Sequence, residues 1–350
     1  MVKSVALSSG RVRDLCEDDL LAILRKYLPS ASGVVVPSGD DSAVLPVPDG
    51  RVAVSTDMLV EDVHFRRGWS SGEDVGWRAA MQNLADAVAM GAVPISLVVS
   101  LELPGDLPVV WVEGLARGMA AACALCGTGV DGGDLVGGNK VAISVTVLGT
   151  LEGRDPVLRS AARSGEPLIH AGVLGRAAAG MALLGHGYAR RRAAFLDEES
   201  LAIDDFLRPK PPLRQALAAC RDGAIGAFMD VSDGLLRDAR RMAQASGVWL
   251  DIESTRLADS IHPLIGIGRR MGMADPWQWA LETALSGGED HGFLGTLRVH
   301  AERAWGLNTP TLPDGFTRIG TVREAHDGGL VTVDGREIAL TGGWDHFGGA

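Results

Sequence analysis

Cysteines, aromatic residues and positive charge are all scarce in this sequence. Only 4 of the 350 residues are cysteines and only 2 are tyrosines. So few cysteines argue against a disulfide-stabilised secreted scaffold and favour a reduced, cytoplasmic setting. The formal net charge is −11. An acidic surface repels the phosphates of nucleic acids and anionic lipids, so we expect neither nucleic acid nor membrane as a partner.

Long hydrophobic runs are also absent. No uninterrupted apolar stretch approaches the ~18 residues that a membrane helix needs. Residues 1–13 contain no apolar core long enough for a signal peptide. Hydrophobic residues make up 46% of the chain and charged residues 22%, as in ordinary globular proteins. A chain of 350 residues is long for one core, so two domains are expected.

The common nucleotide-binding motifs are missing as well. Gly133 and Gly138 have the glycine spacing of a Walker A loop, but Asn139 stands where that loop needs lysine. A strand-like run follows where a P-loop needs a helix. No Gly-x-Gly-x-x-Gly motif opens a helix after a strand, so a dinucleotide-binding fold is not expected either.

Strand-like and helix-like segments alternate along the chain, which predicts an α/β or α+β fold. A Gly-rich segment at 149–165 marks the expected boundary between an N-terminal domain, 1–152, and a C-terminal domain, 153–350. Strands are predicted at 34–36, 43–45, 52–55, 95–101, 141–148, 167–171, 227–229, 249–252 and 293–297, with short ones in 318–340. Helices are predicted at 14–28, 77–90, 109–125 and 176–184, and from Gly234 to Ser246; residues 185–212 are expected to be a loop with a short helix.

The sequence is rich in acidic residues at the ends of predicted elements, many of them beside glycine. The set comprises Asp40, Asp41, Asp57, Asp86, Asp134, Asp230, Asp233, Glu289 and Asp290. Each one alone is typical of a turn or a helix cap. Carboxylates are also the oxygen ligands that Mg²⁺ takes together with water and phosphate oxygens. Several of them on different loops could hold more than one Mg²⁺ around a triphosphate, neutralising charge that an acidic protein cannot.

The order of these motifs resembles the thiamine-monophosphate kinase family from about residue 17 to residue 347. The first half of the chain carries Gly39-Asp40-Asp41 and Ser55-Thr56-Asp57, and the second half carries Asp230-Val231-Ser232-Asp233-Gly234. The complete set occupies residues 39–45, 55–60, 63–65, 83–94, 132–134, 163–165, 172–180, 230–235, 286–290 and 344–347.

The resemblance implies two α/β domains of the aminoimidazole-ribonucleotide-synthetase-like superfamily. It implies a homodimer, in which the N-terminal domains join their sheets into a barrel, and ATP in a cleft that the C-terminal domain completes. The implied reaction makes thiamine diphosphate from thiamine monophosphate and ATP by direct in-line transfer. Several Mg²⁺ ions would assist this transfer.

The resemblance also implies roles for individual residues. The implied metal ligands are Asp41, Ser55, Thr56, Asp57, Asp86, Asp134, Asp230 and Asp233. ATP would contact Gly133, Asp134, Arg163 and Ser232, and thiamine monophosphate would contact His64, Glu289 and Trp344. The implied catalytic residues are Asp57, Asp134, Arg163 and Asp230.

Three of these residues have ordinary structural alternatives. Arg163 could be a solvated loop arginine. His64 could be a partly buried structural histidine. Trp344 could pack the tail of the chain onto the core.

Several residues depart from the family pattern, among them Asp62, which replaces a usual small residue before the His64 motif. Leu135 and Val136 stand where the family has hydroxyl residues, and His291, followed by Gly292, replaces a tyrosine and an acid. These departures leave open a catalytically silent protein that binds nucleotide or thiamine. A sister enzyme acting on formylglycinamidine ribonucleotide also stays open, although the aromatic tail around Trp344 favours the thiamine enzyme.

Overall fold

The computed structural model describes residues 10–39, 41–189, 197–298, 311–325 and 329–338. The chain divides into two units. The first comprises Met1–Ala87 and Ala92–Gly153, and the second comprises Val88–Gly91 and Arg154–Ala350. Each unit contains one mixed sheet and several helices.

The first domain has a four-stranded sheet in the order β1-β4-β2-β3. Strands β1 and β4 are antiparallel, as are β4 and β2, whereas β2 and β3 are parallel. The strands are β1 (Ala53–Val60), β2 (Val93–Pro104), β3 (Gly129–Gly138) and β4 (Ala142–Thr150). The helices are α1 (Glu17–Tyr27), α2 (Gly72–Ala89) and α3 (Val109–Cys126).

Glycines bring α2 and α3 together at the level of the backbone. A Cβ atom added at Gly72 would lie 1.9 Å from the carbonyl oxygen of Trp111, and one at Gly76 would lie 1.9 Å from that of Leu115. A Cβ at Gly118 would overlap the carbonyl oxygen of Glu73 in the same way. Side chains at these positions would therefore push the two helices apart.

Helix α3 is long and apolar enough to cross a membrane by length and composition, and half of it is buried inside the structure. Its inner face includes Val112, Leu115 and Met119, which are 1% exposed or less. The core helix of a soluble domain has the same composition. The expectation of a cytoplasmic protein without a membrane partner stays a prediction.

The second domain has a seven-stranded sheet in the order β11-β10-β7-β9-β5-β8-β6. Its strands are β5 (Pro167–Ala171), β6 (Ile225–Val231), β7 (Val248–Ile252), β8 (Gly292–Leu297), β9 (Phe316–Glu324), β10 (Leu330–Val333) and β11 (Arg336–Glu337). Its helices are α4 (Arg176–Gly185), α5 (Glu198–Leu207), α6 (Leu213–Arg221), α7 (Leu235–Ser246), α8 (Ala258–Arg270) and α9 (Pro276–Ser286). Every residue of β5 and β8 is buried, so these strands form the centre of the domain.

The strands predicted at 34–36 and 43–45 are wrong, because these runs make only an isolated bridge between Val36 and Val44. Such short runs have no neighbouring strand to complete a ladder. The strand predicted at 52–55 continues to Val60, so Asp57 lies inside β1 and not after it. The glycine-rich run that includes Gly132 and Asp134 is itself a strand, because pairing with β2 overrides the low strand propensity of glycine.

Candidate active site

Strand β1 and helix α2 bring three predicted metal ligands together. The Ser55 hydroxyl donates a hydrogen bond to Asp86 Oδ2 at 2.9 Å. Two residues further along β1, the Asp57 backbone N–H donates to Asn83 Oδ1 at 3.2 Å, and Gln82 Nε2 donates to Asp57 Oδ2 at 3.3 Å. Because side chains alternate along a strand, Ser55 and Asp57 share the face of the sheet that meets α2.

Thr56 has its side chain on the opposite face of β1. Its hydroxyl donates to the carbonyl oxygen of Val145 at 3.0 Å and accepts from the hydroxyl of Thr146 at 3.0 Å. The sequence places Ser55, Thr56 and Asp57 side by side, but the pleat separates the middle side chain from the other two. A metal-binding role for Thr56 stays a prediction.

A second group of predicted residues lines a cavity of about 370 Å³ in the first domain. Asp41, Gly133 and Asp134 all contribute to its wall, together with the apolar side chains of α1 and Leu135. Asp41 and Asp134 are exposed. The cavity therefore combines carboxylates with an apolar surface, and Leu135, which departs from the family pattern, is part of the apolar side.

Gly133 has a structural reason to be glycine. A Cβ atom at this position would lie 1.9 Å from the carbonyl oxygen of Val99, its partner on β2. Nearby, the buried Asp131 accepts hydrogen bonds from the Ala31 backbone N–H, at 3.0 Å to Oδ2, and from the Ser96 hydroxyl at 2.5 Å. Close strand packing explains the glycine whether or not ATP contacts it.

His64 lies in the turn that follows β1. Its Nδ1 accepts a hydrogen bond from the Val60 backbone N–H at 3.0 Å, so a neutral ring carries its proton on Nε2. The same turn is held by Glu61, which accepts from the Val141 backbone N–H at 3.0 Å and pairs with Arg67. The His64 side chain is partly exposed.

The candidate metal ligands of the first domain form two groups. Strands β1 and β3 are at opposite edges of the sheet, with β4 and β2 between them. Three strand spacings separate Asp57 from Asp134 by roughly 14 Å. Among the described residues, no three His, Cys, Asp or Glu side chains are close enough to hold one metal ion between them.

The donor chemistry nevertheless fits Mg²⁺. Both groups offer hard oxygen atoms, from Ser55 and Asp86 on one side and from Asp41 and Asp134 on the other. Mg²⁺ usually takes one or two carboxylates and fills its remaining positions with water and phosphate oxygens. A Mg²⁺ site of this kind therefore needs only one or two oxygen donors from the protein and does not need a full set of protein ligands.

In the second domain, the predicted residue Asp230 lies near the end of β6, and Ser232 and Asp233 lie in the connection from β6 to α7. The Asp233 backbone N–H donates to Asp238 Oδ2 at 3.0 Å, and the Asp233 carboxylate pairs with Arg241 at 2.7 Å. Arg241 also contacts Asp238 Oδ1 at 2.6 Å. The first two turns of α7 thereby hold the loop that carries the predicted ligands.

Asp238 is fully buried in this network. Burial, with a further contribution from the Asp230 carboxylate, raises the pKa of Asp238 to about 7, against the opposing effect of Arg241. Sequence reasoning missed Asp238 and Arg241. The sequence signal that could have identified them is the spacing of three residues between an acid and a base on α7, the helix that follows the Asp230–Asp233 motif.

The acidic pair Glu289-Asp290 separates into two roles. The Glu289 side chain is partly exposed, and its backbone N–H donates to the carbonyl oxygen of Ser232 at 2.8 Å. Asp290 is buried, and it accepts from the backbone N–H groups of Gly175, at the N-cap of α4, and of Ala177. Glu289 therefore lies beside the Asp230–Asp233 loop, whereas Asp290 anchors a helix.

His291 lies between two of the predicted site residues. Its Nδ1 is 3.9 Å from Asp230 Oδ2, and its Nε2 is 3.6 Å from Glu289 Oε2. Burial disfavours the charged ring, but the two carboxylates outweigh this effect and raise the pKa of His291 to about 10. The sequence marked this residue only as a departure from the family pattern.

Two predicted residues lie apart from these groups. Arg163 is exposed in the loop before β5, and its backbone N–H donates to Glu166 Oε2 at 3.0 Å. Trp344 is outside the described residues. The roles predicted for both stay predictions.

Two family models together match most of the chain. Residues 39–151 match the family model of the AIR synthase related protein, N-terminal domain, and residues 163–332 match that of its C-terminal domain. The chain is 38% identical to a thiamine-monophosphate kinase of Mycobacterium tuberculosis, covering 99% of this chain and 96% of that protein.

Two solved structures also resemble the chain over nearly its whole length. One, described as AaThiL complexed with AMPPCP and TMP, is 32% identical with a TM-score of 0.71, covering 97% of this chain and 99% of that one. The other, a thiamine-monophosphate kinase of Stenotrophomonas maltophilia, is 28% identical with a TM-score of 0.73, covering 92% and 96%. The predicted two-domain α/β fold is confirmed, and the chain belongs to the thiamine-monophosphate kinase family, whose two domains are of the AIR synthase related type.

Proposed function

We propose that this chain transfers the γ-phosphoryl group of ATP to thiamine monophosphate and so makes thiamine diphosphate. The observation that carries the proposal is the full-length similarity to thiamine-monophosphate kinases, at 38% identity. A related structure described as a complex with AMPPCP, an ATP analogue, and TMP supports ATP and thiamine monophosphate as the substrates.

The proposed reaction is a direct in-line transfer. An oxygen of the thiamine monophosphate phosphate attacks the γ-phosphorus of ATP, the bond from that phosphorus to the β–γ bridging oxygen breaks, and ADP leaves. The attacking phosphate is already anionic, so the enzyme needs no strong general base. The remaining barrier is alignment and charge, which positioned groups can lower.

Each domain contributes candidate residues for binding and charge neutralisation. Mg²⁺, when bound by the carboxylates of Asp41, Asp57, Asp86, Asp134, Asp230 and Asp233, would neutralise phosphate charge. Gln82 and Asn83 keep Asp57 oriented. Arg163 is proposed to contact the ATP phosphates. Its exposed loop would leave the guanidinium accessible.

Substrate recognition is proposed for three residues, His64, Glu289 and Trp344. His64 lies in the turn after β1, where its Nδ1 accepts from the Val60 backbone N–H. Glu289 offers a carboxylate that suits a cationic thiazolium ring. Trp344 is proposed to stack on the heterocycles of thiamine.

A homodimer is part of the proposal. The face of the first-domain sheet opposite α2 exposes Val54 at 64%, Met58 at 54% and Val136 at 55%. Apolar side chains rarely cover one open sheet face of a monomer, because burying them is favourable. A second copy of the same sheet would cover this face and could complete a barrel.

The experiment that tests the function is an assay of thiamine diphosphate formed by the purified protein from thiamine monophosphate, ATP and Mg²⁺. Product that disappears with EDTA supports both the reaction and the metal. Formylglycinamidine ribonucleotide serves as the alternative acceptor. ATP binding without any thiamine diphosphate would overturn the proposed reaction.

A further inference from the structure

The segment from Glu289 to His291 lies against the end of β6, which carries Asp230, and against the loop that follows it. The Glu289 backbone N–H donates to the carbonyl oxygen of Ser232 at 2.8 Å, and the His291 backbone N–H donates to that of Val231 at 3.1 Å. These two bonds tie the segment to the end of β6. A displacement of either segment would therefore displace the other.

The backbone of this segment is strained in a way that sets the direction of its side chains. Glu289 has φ of +73° and His291 has φ of +53°, although neither is glycine. Each such conformation costs roughly 1–2 kcal/mol and persists only where the surroundings enforce it. Here the enforcing contacts include Asp290, whose buried carboxylate binds the start of α4 between the two strained residues.

The direction that results places His291 between two carboxylates. The histidine is 5% exposed, and its two ring nitrogens are 3.9 Å from Asp230 Oδ2 and 3.6 Å from Glu289 Oε2. These distances are longer than hydrogen bonds. Both ring nitrogens are buried without a hydrogen-bond partner among the described residues, so the imidazole occupies the space between the two carboxylates.

We propose that His291 is a positioning residue, which holds the Asp230 and Glu289 carboxylates at a fixed separation from each other. This inference rests on the proposed function, in which Asp230 binds Mg²⁺ and Glu289 contacts thiamine monophosphate. Without the imidazole, the two carboxylates would repel each other and the Glu289 side chain would turn toward water. One residue thereby couples the metal site to the substrate site.

The residue after His291 is a glycine at a crowded position. A Cβ atom on Gly292 would lie 2.7 Å from the carbonyl oxygen of Ala171 and 2.8 Å from His170 Nε2. Strand β8 therefore packs directly against β5 at this point, which fixes the backbone that carries His291. Gly292 allows β8 to approach β5, and His291 fills the space between the Asp230 and Glu289 carboxylates.

The test compares His291→Ala and His291→Gln with the wild type. Groups that orient metal or substrate ligands typically change affinity or activity by about 10- to 100-fold when removed. We expect His291→Ala to raise both the KM for thiamine monophosphate and the Mg²⁺ concentration for half-maximal rate by about tenfold. His291→Gln keeps a polar amide of similar length, and we expect it to recover part of each loss.

A binding measurement makes the test independent of turnover. Mn²⁺ titration in the presence of AMPPCP, followed by electron paramagnetic resonance, should show about tenfold weaker Mn²⁺ binding in His291→Ala. His262→Gln is the control, because His262 is an exposed histidine on α8. We expect it to leave Mn²⁺ binding unchanged.

The outcomes separate the two proposals. A wild-type protein that binds Mn²⁺ and AMPPCP but makes no thiamine diphosphate would refute the proposed function. An active wild type, with KM and Mn²⁺ affinity within twofold in His291→Ala, would refute the positioning role alone. A lower Tm and a lower kcat with unchanged KM and Mn²⁺ affinity would also refute it, since that pattern indicates a structural residue.

Discussion

At the scale of single residues, neighbours in the fold decide what each candidate side chain can do. Ser55, Thr56 and Asp57 are consecutive, yet only the first and third face α2. Asp290 belongs to the acidic motif, and its carboxylate caps α4. The neighbouring acids Glu289 and Asp290 therefore differ: the first carboxylate is partly exposed and the second is a buried helix cap.

Asp57→Asn tests the proposed metal role directly. The amide keeps the size of the side chain and its contact with Gln82, so the fold and the Tm should be retained. A neutral ligand binds Mg²⁺ more weakly, and we expect kcat to fall at least about 100-fold. Asp106→Asn, at an exposed carboxylate of the same domain, is the control in the thiamine diphosphate assay. An unchanged rate in Asp57→Asn would remove this residue from the metal site.

His170 predicts how stability depends on pH. Burial lowers its pKa from 6.5 to about 4, so the folded state keeps the ring neutral while the unfolded chain takes up a proton. Stability from this group is complete above pH 6.5 and is lost as pH falls toward 4. At pH 4.5 the loss is roughly 2.5 kcal/mol, from about 1.4 kcal/mol per pH unit.

His170→Gln should remove this loss. Denaturant unfolding of wild type and variant at pH 7.5 and pH 4.5 measures it as the change in the free energy of unfolding between the two pH values. The same substitution at His262, an exposed residue on α8, separates the loss of a buried histidine from the loss of any histidine. An equal pH dependence in wild type and His170→Gln would contradict the assignment.

At the scale of elements, contacts distant in sequence hold the loops of the site. Helix α4 begins at Arg176, and its first N–H groups are bound by Asp290, 113 residues beyond Ala177. Helix α9 begins instead with a local cap, since the Asp275 carboxylate accepts from the backbone of Trp277 and Gln278. Only the local cap can be recognised from sequence spacing.

Asp290→Ala should destabilise the protein more than Asp275→Ala does. The first change leaves buried N–H groups without an acceptor, at about 2 kcal/mol, whereas a solvent-exposed cap contributes about 1 kcal/mol. For a domain of this size we expect Tm to fall by roughly 4–8 °C and 2–4 °C respectively. Thermal unfolding followed by circular dichroism measures both Tm values. Equal decreases in Tm would show that the distant cap contributes no more stability than the local one.

At the scale of the whole molecule, the open sheet face of the first domain predicts association. Val54→Glu places a carboxylate in the middle of the proposed interface, where it would be buried without a partner. A cost of about 3 kcal/mol would weaken the dimer by roughly 100-fold. Light scattering after size exclusion should show a dimeric wild type and a monomeric variant at micromolar concentration.

The control for the interface is Val110→Glu, an exposed position on α3 away from the open sheet face. It carries the same change in charge and should leave the mass in solution unchanged. A monomeric wild type, or a dimeric Val54→Glu, would contradict the proposed interface.

The sequence alone determined the fold class and most of the elements. Helices α3, α4 and α7 and strands β5 and β7 have nearly the predicted bounds, because their apolar periodicity and terminal glycines are local signals. Helix α5 lies within 185–212, where a loop with a short helix was expected. Helix α6 begins at Leu213, where no element was predicted, because the prolines at 209, 211 and 212 obscured its start. The ordered motifs also gave the family, which the full-length comparison shows.

Only the tertiary structure decided which candidate residues meet. The pleat turned Thr56 away from Asp86, sheet order separated Asp57 from Asp134, and a left-handed backbone turned His291 toward Asp230. Spacing along the chain cannot supply these facts. They follow from strand pairing and burial, which bring together residues that can be more than a hundred positions apart in the sequence.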